Sequence, residues 1–200
     1  TVKREAKFAL TVEKFIKDNE CVAGAIQCWD SVQKNYKCAA CLPMSMLGEA
    51  GVPMACETDI TGAVAMYALY LASGSPAGYL DWNNNYLDDR DKCICLHCSA
   101  FPKTFMGNTF EISPLDILGE SLGKDNCFGG CKGNVGKGAM TFAKVSTDDT
   151  KGTMKVYFGE GELTDDPVTT AGGVAVCKID NLQKLLNYMC KNGFEHHIAI

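Results

Sequence analysis

Residues 52–72 read VPMACETDITGAVAMYALYLA. The apolar run at residues 52–56 is too short for a helix and predicts a buried strand. Residues 58–72 are apolar nearly all round and predict a buried helix, and a short strand at residues 78–81 follows it. The order strand–helix–strand predicts a βαβ unit, in which both parallel strands end on the same side of one sheet.

An acid stands at the end of each predicted strand. Glu57 directly follows the first strand, and Asp81 closes the second. Open α/β sheets bind ligands at the carboxyl ends of their strands, so we expect both carboxylates to face one crevice. Such a pair suits a hard divalent cation such as Mg²⁺ or Mn²⁺. Two solvated acids at strand ends are the simpler interpretation of the same residues.

The chain finishes on GFEHHIAI, residues 193–200, which carries two of its three histidines. We predict a closing strand at residues 194–200, on which side chains alternate between faces. His196 then shares an apolar face that belongs against a core, whereas His197 shares a polar face with Glu195. An imidazole beside two acids favours Mn²⁺, and Glu195 is a possible acceptor for the second ring nitrogen of His197. Two surface histidines near a terminus remain the alternative.

The pattern of apolar and polar residues changes near residues 85–100, and we predict a domain boundary there. Before that point we predict an amphipathic helix at 2–18, a strand at 22–28 and a short helix at 44–50. Beyond it the pattern becomes mostly β. The elements predicted there are strands at 91–98, 139–146, 153–160 and 173–179, a loop over the glycine-rich residues 122–138, and a helix at 181–191 capped by Asp180.

Composition excludes some partners and suggests a compartment. The net charge of −5 gives no reason to expect nucleic acid, and no apolar stretch approaches the ~20 residues that span a bilayer. The N-terminus shows no signal-peptide pattern and no initiator Met, so the chain is expected to be processed or a piece of a longer one. We therefore expect a cytoplasmic protein whose twelve cysteines are reduced.

The cysteines offer one competing hypothesis. Cys38 and Cys41 form one close pair, and Cys127 and Cys131 form another. Paired cysteines of this kind organise structural zinc sites, although such sites bring their two pairs together at shorter separation in sequence.

The third histidine, His97, is either a further metal ligand or a buried histidine whose ring nitrogens are hydrogen-bonded within the protein.

Several segments together resemble one family. They are ACETD at residues 55–59, Leu80-Asp81, Leu96-His97-Cys98, GEG at 159–161 and GFEHH at 193–197. In this order they resemble the C-terminal portion of the L-fucose isomerase / L-arabinose isomerase family, and most closely its fucose isomerase-like members. The resemblance implies an α+β chain, with part of an α/β domain at residues 1–88 followed by a C-terminal antiparallel β-barrel at 89–200.

The same resemblance implies a function. It implies a metal-dependent aldose–ketose isomerase that uses Mn²⁺ held by Glu57, Asp81 and His197, with both acids moving protons through an enediol. The expected partner is a monosaccharide, and the residues expected to contact it are His97, His196, Trp82 and Asn83. Family enzymes are longer, so we expect missing N-terminal domains, a homo-oligomer, and weak or no activity from these residues alone. The alternatives are a catalytically silent metal- or sugar-binding domain and a cysteine-organised zinc protein.

Overall fold

The computed structural model describes residues 2–98 and 100–200. This part of the chain forms helices and strands in the following bounds. The α-helices are α1 Val2–Asp18, α2 Ser31–Tyr36, α3 Cys41–Glu49, α4 Ile60–Ser73, α5 Lys103–Met106, α6 Asp116–Leu122 and α7 Leu182–Lys191. The strands are β1 Gly24–Ile26, β2 Met54–Cys56, β3 Tyr79–Tyr86, β4 Asp89–His97, β5 Glu111–Pro114, β6 Phe128–Asn134, β7 Gly138–Asp148, β8 Thr153–Thr164, β9 Gly173–Lys178 and β10 His197–Ala199.

Six strands form a closed antiparallel barrel. Its strands run in the order β4, β3, β10, β7, β8 and β9, and β9 pairs back to β4. Apolar side chains fill the interior, among them Leu80, Cys95, Phe142 and Ile198. The predicted α+β class with a C-terminal antiparallel barrel is confirmed.

The βαβ unit lies elsewhere than predicted. Strands β1 and β2 are the parallel pair, with Gly24 opposite Met54, and α2 and α3 connect them. The predicted partner of β2, strand β3, instead pairs antiparallel with β10 and β4. The prediction that Glu57 and Asp81 share one sheet edge is therefore wrong, because the local pattern of a strand does not specify its partner. The boundary between residues 88 and 89 stays a prediction, and β3 pairs within the barrel although it precedes that boundary.

Helix α4 packs between the barrel and the two-stranded sheet. Its Ala63 and Met66 share one apolar cluster with Met54 of β2 and with Ala143 and Ala199 of the barrel. The helix begins after Asp59, whose carboxylate accepts a 2.7 Å hydrogen bond from the Gly62 N–H. The prediction of a helix buried all round is wrong. Its outer side is open, with 59% of Ile60 and 65% of Leu71 exposed.

Three local predictions need correction. The glycine-rich residues 122–138 are not only a loop, because β6 lies within them and pairs with β5 and β9. The closing strand is shorter than predicted and begins at His197. Helix α7 begins after Asn181, which adopts the left-handed conformation with φ 60°, and not after Asp180. None of the helices in the described ranges is long and apolar enough to cross a membrane.

Candidate metal centre

A tight turn between β2 and α4 presents Glu57. Glu57 has φ 59° and Thr58 has φ 62°, a left-handed conformation that residues other than glycine seldom adopt. The Thr58 N–H donates a 3.2 Å hydrogen bond to the Ile26 carbonyl and so ties the turn to the end of β1. This backbone reversal directs the Glu57 carboxylate toward the adjoining edge of the barrel, where it meets His197.

Cross-strand pairing brings Asp81 to His197. Asp81 on β3 lies directly opposite His197 on β10 in the antiparallel register. Side chains of directly opposed residues project from the same face with Cβ atoms about 5 Å apart. The acid and the imidazole therefore meet because β10 is inserted next to β3, and not because of the predicted βαβ geometry.

The carboxylates of Glu57 and Asp81 both approach one ring nitrogen of His197. His197 Nε2 lies 3.4 Å from Asp81 Oδ1 and 3.6 Å from Glu57 Oε2. The His197 side chain is only 6% exposed. Within the described residues, His197 Nε2 and Asp81 Oδ1 are buried without a hydrogen-bond partner. Leaving such atoms unpaired costs about 1–3 kcal/mol each, so a lone pair and a carboxylate oxygen facing one space fit a cation between them.

His97 adds a fourth group to the same space. It is buried at the end of β4, and its ligand atom, that of Glu57 and that of His197 all lie within 4.8 Å of one another. Burial alone would lower the pKa of His97, but its contact with Cys98 and the charge of Asp81 raise that pKa to about 9. To become a ligand, His97 would therefore first have to lose a proton to solvent, so that its freed lone pair could bind the cation. Burial also raises the pKa of the Asp81 carboxyl, although the nearby histidines oppose the shift.

The other residues predicted to contact the substrate, which are His196, Trp82 and Asn83, differ in their burial. His196 is 61% exposed at its side chain, with Nε2 3.7 Å from Asp81 Oδ1, so the prediction of an apolar, core-facing His196 is wrong. It precedes the first residue of β10, where strand alternation does not apply. The Trp82 indole lies in the barrel, where it donates a 2.9 Å hydrogen bond to the Tyr157 hydroxyl. Asn83 is exposed on β3.

The carboxylate that meets the second ring nitrogen of His197 is Asp59. Its Oδ2 lies 3.3 Å from His197 Nδ1 and accepts hydrogen bonds from Lys144 Nζ, at 2.6 Å, and from the Tyr79 hydroxyl. Burial favours a raised pKa for Asp59, but these hydrogen bonds outweigh it and hold the pKa well below its usual range. Glu195, the acceptor considered from sequence, instead contacts Lys144 at 3.1 Å.

Trp29 is a second residue that the sequence did not single out. Its Nε1 donates a 3.2 Å hydrogen bond to Glu57 Oε1, and 45% of the residue is exposed. It therefore stands at the open side of the carboxylate and histidine cluster. No sequence signal near Trp29 indicates this position, because β1 and β2 must pair before residues 29 and 57 become neighbours.

Within the described residues, the cysteines do not form the zinc site that was raised as a competing hypothesis. The groups able to hold a metal that occur among residues 2–98 and 100–200 consist of Asp, Glu and His. Cys41 and Cys127 instead share a small apolar cluster with Ala39 and Leu115. Cys98 contacts Cys41 and Cys56 as well as His97, so several thiols lie beside the histidine end of the cluster.

A barrel that supplies a buried imidazole and one carboxylate, with a second carboxylate from the turn after β2, defines a candidate metal-binding domain. Residues 95–200 match the family described as "L-fucose isomerase, C-terminal domain". The chain belongs to this family, as its sequence segments predicted.

Similar full-length proteins are sugar isomerases. The sulfoquinovose isomerases of Alkalicoccus urumqiensis and Priestia aryabhattai are each 26% identical to this chain, over 201 and 204 residues. Each match covers 100% of this chain and 44% of the relative. The sulfoquinovose isomerase of Clostridium sp. (strain MSTE9) is 24% identical over 195 residues, which cover 94% of this chain and 41% of the relative. The chain thus spans less than half the length of the curated relatives it matches.

Proposed function

We propose that the chain is part of a metal-dependent aldose–ketose isomerase that acts on a monosaccharide, with Mn²⁺ or another divalent cation as cofactor. One observation carries the proposal. His197 Nε2 and Asp81 Oδ1 face each other at 3.4 Å, buried and without hydrogen-bond partners in the described part of the chain. Membership of the L-fucose isomerase family supports the same assignment.

The residues present fit such a cation. Glu57, Asp81 and His197 Nε2 would hold it, and His97 would be a fourth ligand if it releases its proton. Carboxylate oxygens with one or two imidazoles suit Mn²⁺ better than soft metals, which prefer thiolates. When bound, a divalent cation polarises a carbonyl oxygen of the sugar.

The two acids supply the proton transfer. Isomerisation of an aldose to a ketose moves one hydrogen between neighbouring carbons and one between their oxygens. We assign the carbon-bound proton to one of Glu57 and Asp81 and the hydroxyl protons to the other, so that an enediol forms and then collapses to the ketose. Both carboxylates lie within 3.6 Å of the same imidazole nitrogen, which keeps them close enough to act on adjacent atoms.

The open side of the cluster would receive the sugar. Trp29 and His196 are exposed there, beside Glu57 and Asp81 respectively. An exposed indole offers a flat apolar face for the C–H groups of a sugar ring and still holds Glu57 through Nε1. Trp82 is a weaker candidate, because its ring packs against Phe142 inside the barrel.

Proton exchange tests the proposal. The chain is incubated with Mn²⁺ in D₂O with sulfoquinovose, L-fucose or L-arabinose, and exchange of the C2 hydrogen is followed by NMR. Glu57→Gln and Asp81→Asn should each slow exchange about 10²–10⁴-fold, the usual contribution of a general acid or base. Asp148→Asn, which changes a partly buried acid paired with Lys151 outside the cluster, should leave the rate unchanged. Rates insensitive to both site substitutions would contradict the assignment.

A comparison with an intact relative separates catalysis from binding. The Priestia aryabhattai enzyme serves as the positive control, since this chain covers only 44% of it. We expect slower turnover from the 200 residues than from the intact enzyme, because further domains and neighbouring subunits would complete the pocket. Mn²⁺ binding by this chain, together with unchanged exchange in the relative after substitution of its acids that align with Glu57 and Asp81, would instead favour the second candidate, a catalytically silent metal-binding domain.

A further inference from the structure

A fully buried lysine lies behind the candidate metal centre. Lys144 of β7 is 0% exposed and ends between two carboxylates, Asp59 at 2.6 Å and Glu195 at 3.1 Å. Burying an unpaired ammonium group costs free energy. The burial of Lys144 therefore depends on its pairing with these two carboxylates. Of the two carboxylates, Asp59 is nearly buried, with 9% of its side chain exposed.

Hydrogen-bond donors surround Asp59. Its Oδ1 accepts from the Gly62 N–H and from the Thr61 hydroxyl, both at 2.7 Å. Its Oδ2 accepts from Lys144 Nζ and from the Tyr79 hydroxyl. Lys144 and the Gly62 amide can only donate, so both oxygens of Asp59 act as acceptors. The helix end and the lysine together fix the position of this carboxylate.

The remaining contact of Asp59 determines the tautomer of His197. Oδ2 lies 3.3 Å from His197 Nδ1. Because Asp59 Oδ2 can only accept a hydrogen bond, its contact with Nδ1 requires a proton on Nδ1. An unprotonated Nδ1 would place its lone pair against the carboxylate oxygen. In the neutral ring the lone pair then lies on Nε2, the atom that faces Glu57 and Asp81. The absence of a hydrogen-bond partner at Nε2 within the described residues agrees with this placement.

We propose that Asp59, fixed by Lys144 and the N-terminus of α4, is the positioning residue that keeps the lone pair of His197 on Nε2 and aimed at the two carboxylates. The tautomer does not depend on the function proposed above. Its consequence for metal affinity rests on that function, since only an unprotonated nitrogen can bind a cation.

Nitrogen NMR of the metal-free chain reads the tautomer directly. The three histidines are labelled with ¹⁵N, and the signals of His197 are assigned by their loss in His197→Ala. At a pH high enough to keep the His197 ring neutral, we expect a protonated, pyrrole-like Nδ1 and an unprotonated, pyridine-like Nε2 in the unchanged chain. A pyrrole-like Nε2 would overturn the proposal.

Substitution of Asp59 tests the cause. Asp59→Ser retains a residue that caps helices but is too short to reach His197. Asp59→Asn keeps the shape but places an N–H donor at one of the two oxygen positions. In both variants the Nε2–H form should become populated, and the dissociation constant for Mn²⁺ should rise about 10–100-fold. Thr61→Val is the matched control, because it removes a donor from Oδ1 and leaves the contacts of Oδ2 in place.

The outcomes separate the two proposals. An unchanged tautomer in both folded Asp59 variants would contradict the positioning role. An Nδ1–H tautomer that depends on Asp59, in a chain that never binds Mn²⁺, would support the positioning role and contradict the proposed function. Thermal midpoints are measured alongside, since a purely structural role would lower the midpoint without moving the proton.

Discussion

His197 is held from opposite sides of its ring. Asp59 meets Nδ1, whereas Glu57 and Asp81 meet Nε2. His196, its neighbour in sequence, stands largely in solvent, with Nε2 3.7 Å from Asp81 Oδ1 and its ring 4.4 Å from the ring of His197. Two adjacent histidines thus differ in burial and in partners, and they should differ in function.

Metal titrations should distinguish the two histidines. His197→Ala removes the residue shared by every metal-capable group found in the described residues, so Mn²⁺ affinity should fall at least 100-fold. His196→Ala should change affinity by no more than a few fold, because its side chain is 61% exposed. Electron paramagnetic resonance of the free Mn²⁺ measures both. A larger loss in His196→Ala would refute the assignment of His197.

Local signals account for only part of this site. Glu57 and Asp81 are recognisable because an acid follows an apolar run, and His197 because two histidines close the chain. Lys144 and Tyr79 carry no such signal, since their contacts with Asp59 arise only when β7 and β3 close into the barrel. Strand alternation made Glu195 a possible acceptor for His197, but Glu195 precedes β10 and alternation does not reach it.

Glu5 is a buried acid away from the candidate metal centre. It is 1% exposed, and neither carboxylate oxygen makes a hydrogen bond of standard geometry within the described residues. Burial raises the pKa of Glu5 from 4.5 to about 7, although the nearby Cys38 thiol and Ala39 backbone partly oppose the shift. The folded state therefore binds the proton more tightly than the unfolded state, and stability falls as pH rises from 4.5 through about 7.

Glu5→Gln should remove this pH dependence. The variant should be more stable than the unchanged chain above pH 7, by up to about 3 kcal/mol, and the difference should vanish toward pH 4.5. Urea unfolding at pH 5 and pH 8 measures the free energies. Glu120→Gln, at an exposed position of α6, is the control and should change little at either pH. A difference of equal size at both pH values would show that the charge of Glu5 is not the cause.

At the scale of elements, α4 and β3 determine the geometry of the site. The approach of α4 to β3 is close at Gly62, where a Cβ would lie 2.5 Å from Cζ of Tyr79. Glycine is required there for packing, since only a missing side chain admits the Tyr79 ring. The same ring donates its hydroxyl hydrogen to Asp59. Packing at one glycine is thus connected to the contact that orients His197.

Gly62→Ala should destabilise the fold despite the better helix propensity of alanine. Overpacking of this kind costs about 1–3 kcal/mol, against a gain of up to about 1 kcal/mol from propensity. Gly119→Ala in α6 is the matched control, because its nearest neighbour is the flexible Lys124 side chain at 3.2 Å. Denaturant unfolding compares the two. A Gly62→Ala protein as stable as Gly119→Ala would show that Tyr79 moves aside without cost.

The longer elements were predictable from their periodicity. The helix at Val2–Asp18 and the paired strands Gly138–Asp148 and Thr153–Thr164 contain the predicted segments, because each has enough residues to show its repeat. The pairing of Tyr79–Tyr86 was not predictable. Its partner His197–Ala199 is three residues long and lies at the other end of the chain.

At the scale of the whole molecule, the barrel and the β1–β2 sheet meet around α4. Glu57 comes from the turn after β2, Asp81 and His197 from the barrel, and Asp59 from the start of the connecting helix. The candidate site therefore exists only when both parts of the chain are folded against each other. This arrangement explains why no single segment of sequence contains a complete ligand set.

The position of a bound cation shows directly whether Glu57, Asp81 and His197 form a metal site. Crystals of the chain are grown with Mn²⁺, and the anomalous difference map is calculated from data collected at the manganese absorption edge. We predict one strong peak about 2.2 Å from a Glu57 oxygen, an Asp81 oxygen and His197 Nε2. A fully occupied peak elsewhere, or no peak between these three residues at saturating Mn²⁺, would show that they do not hold the metal.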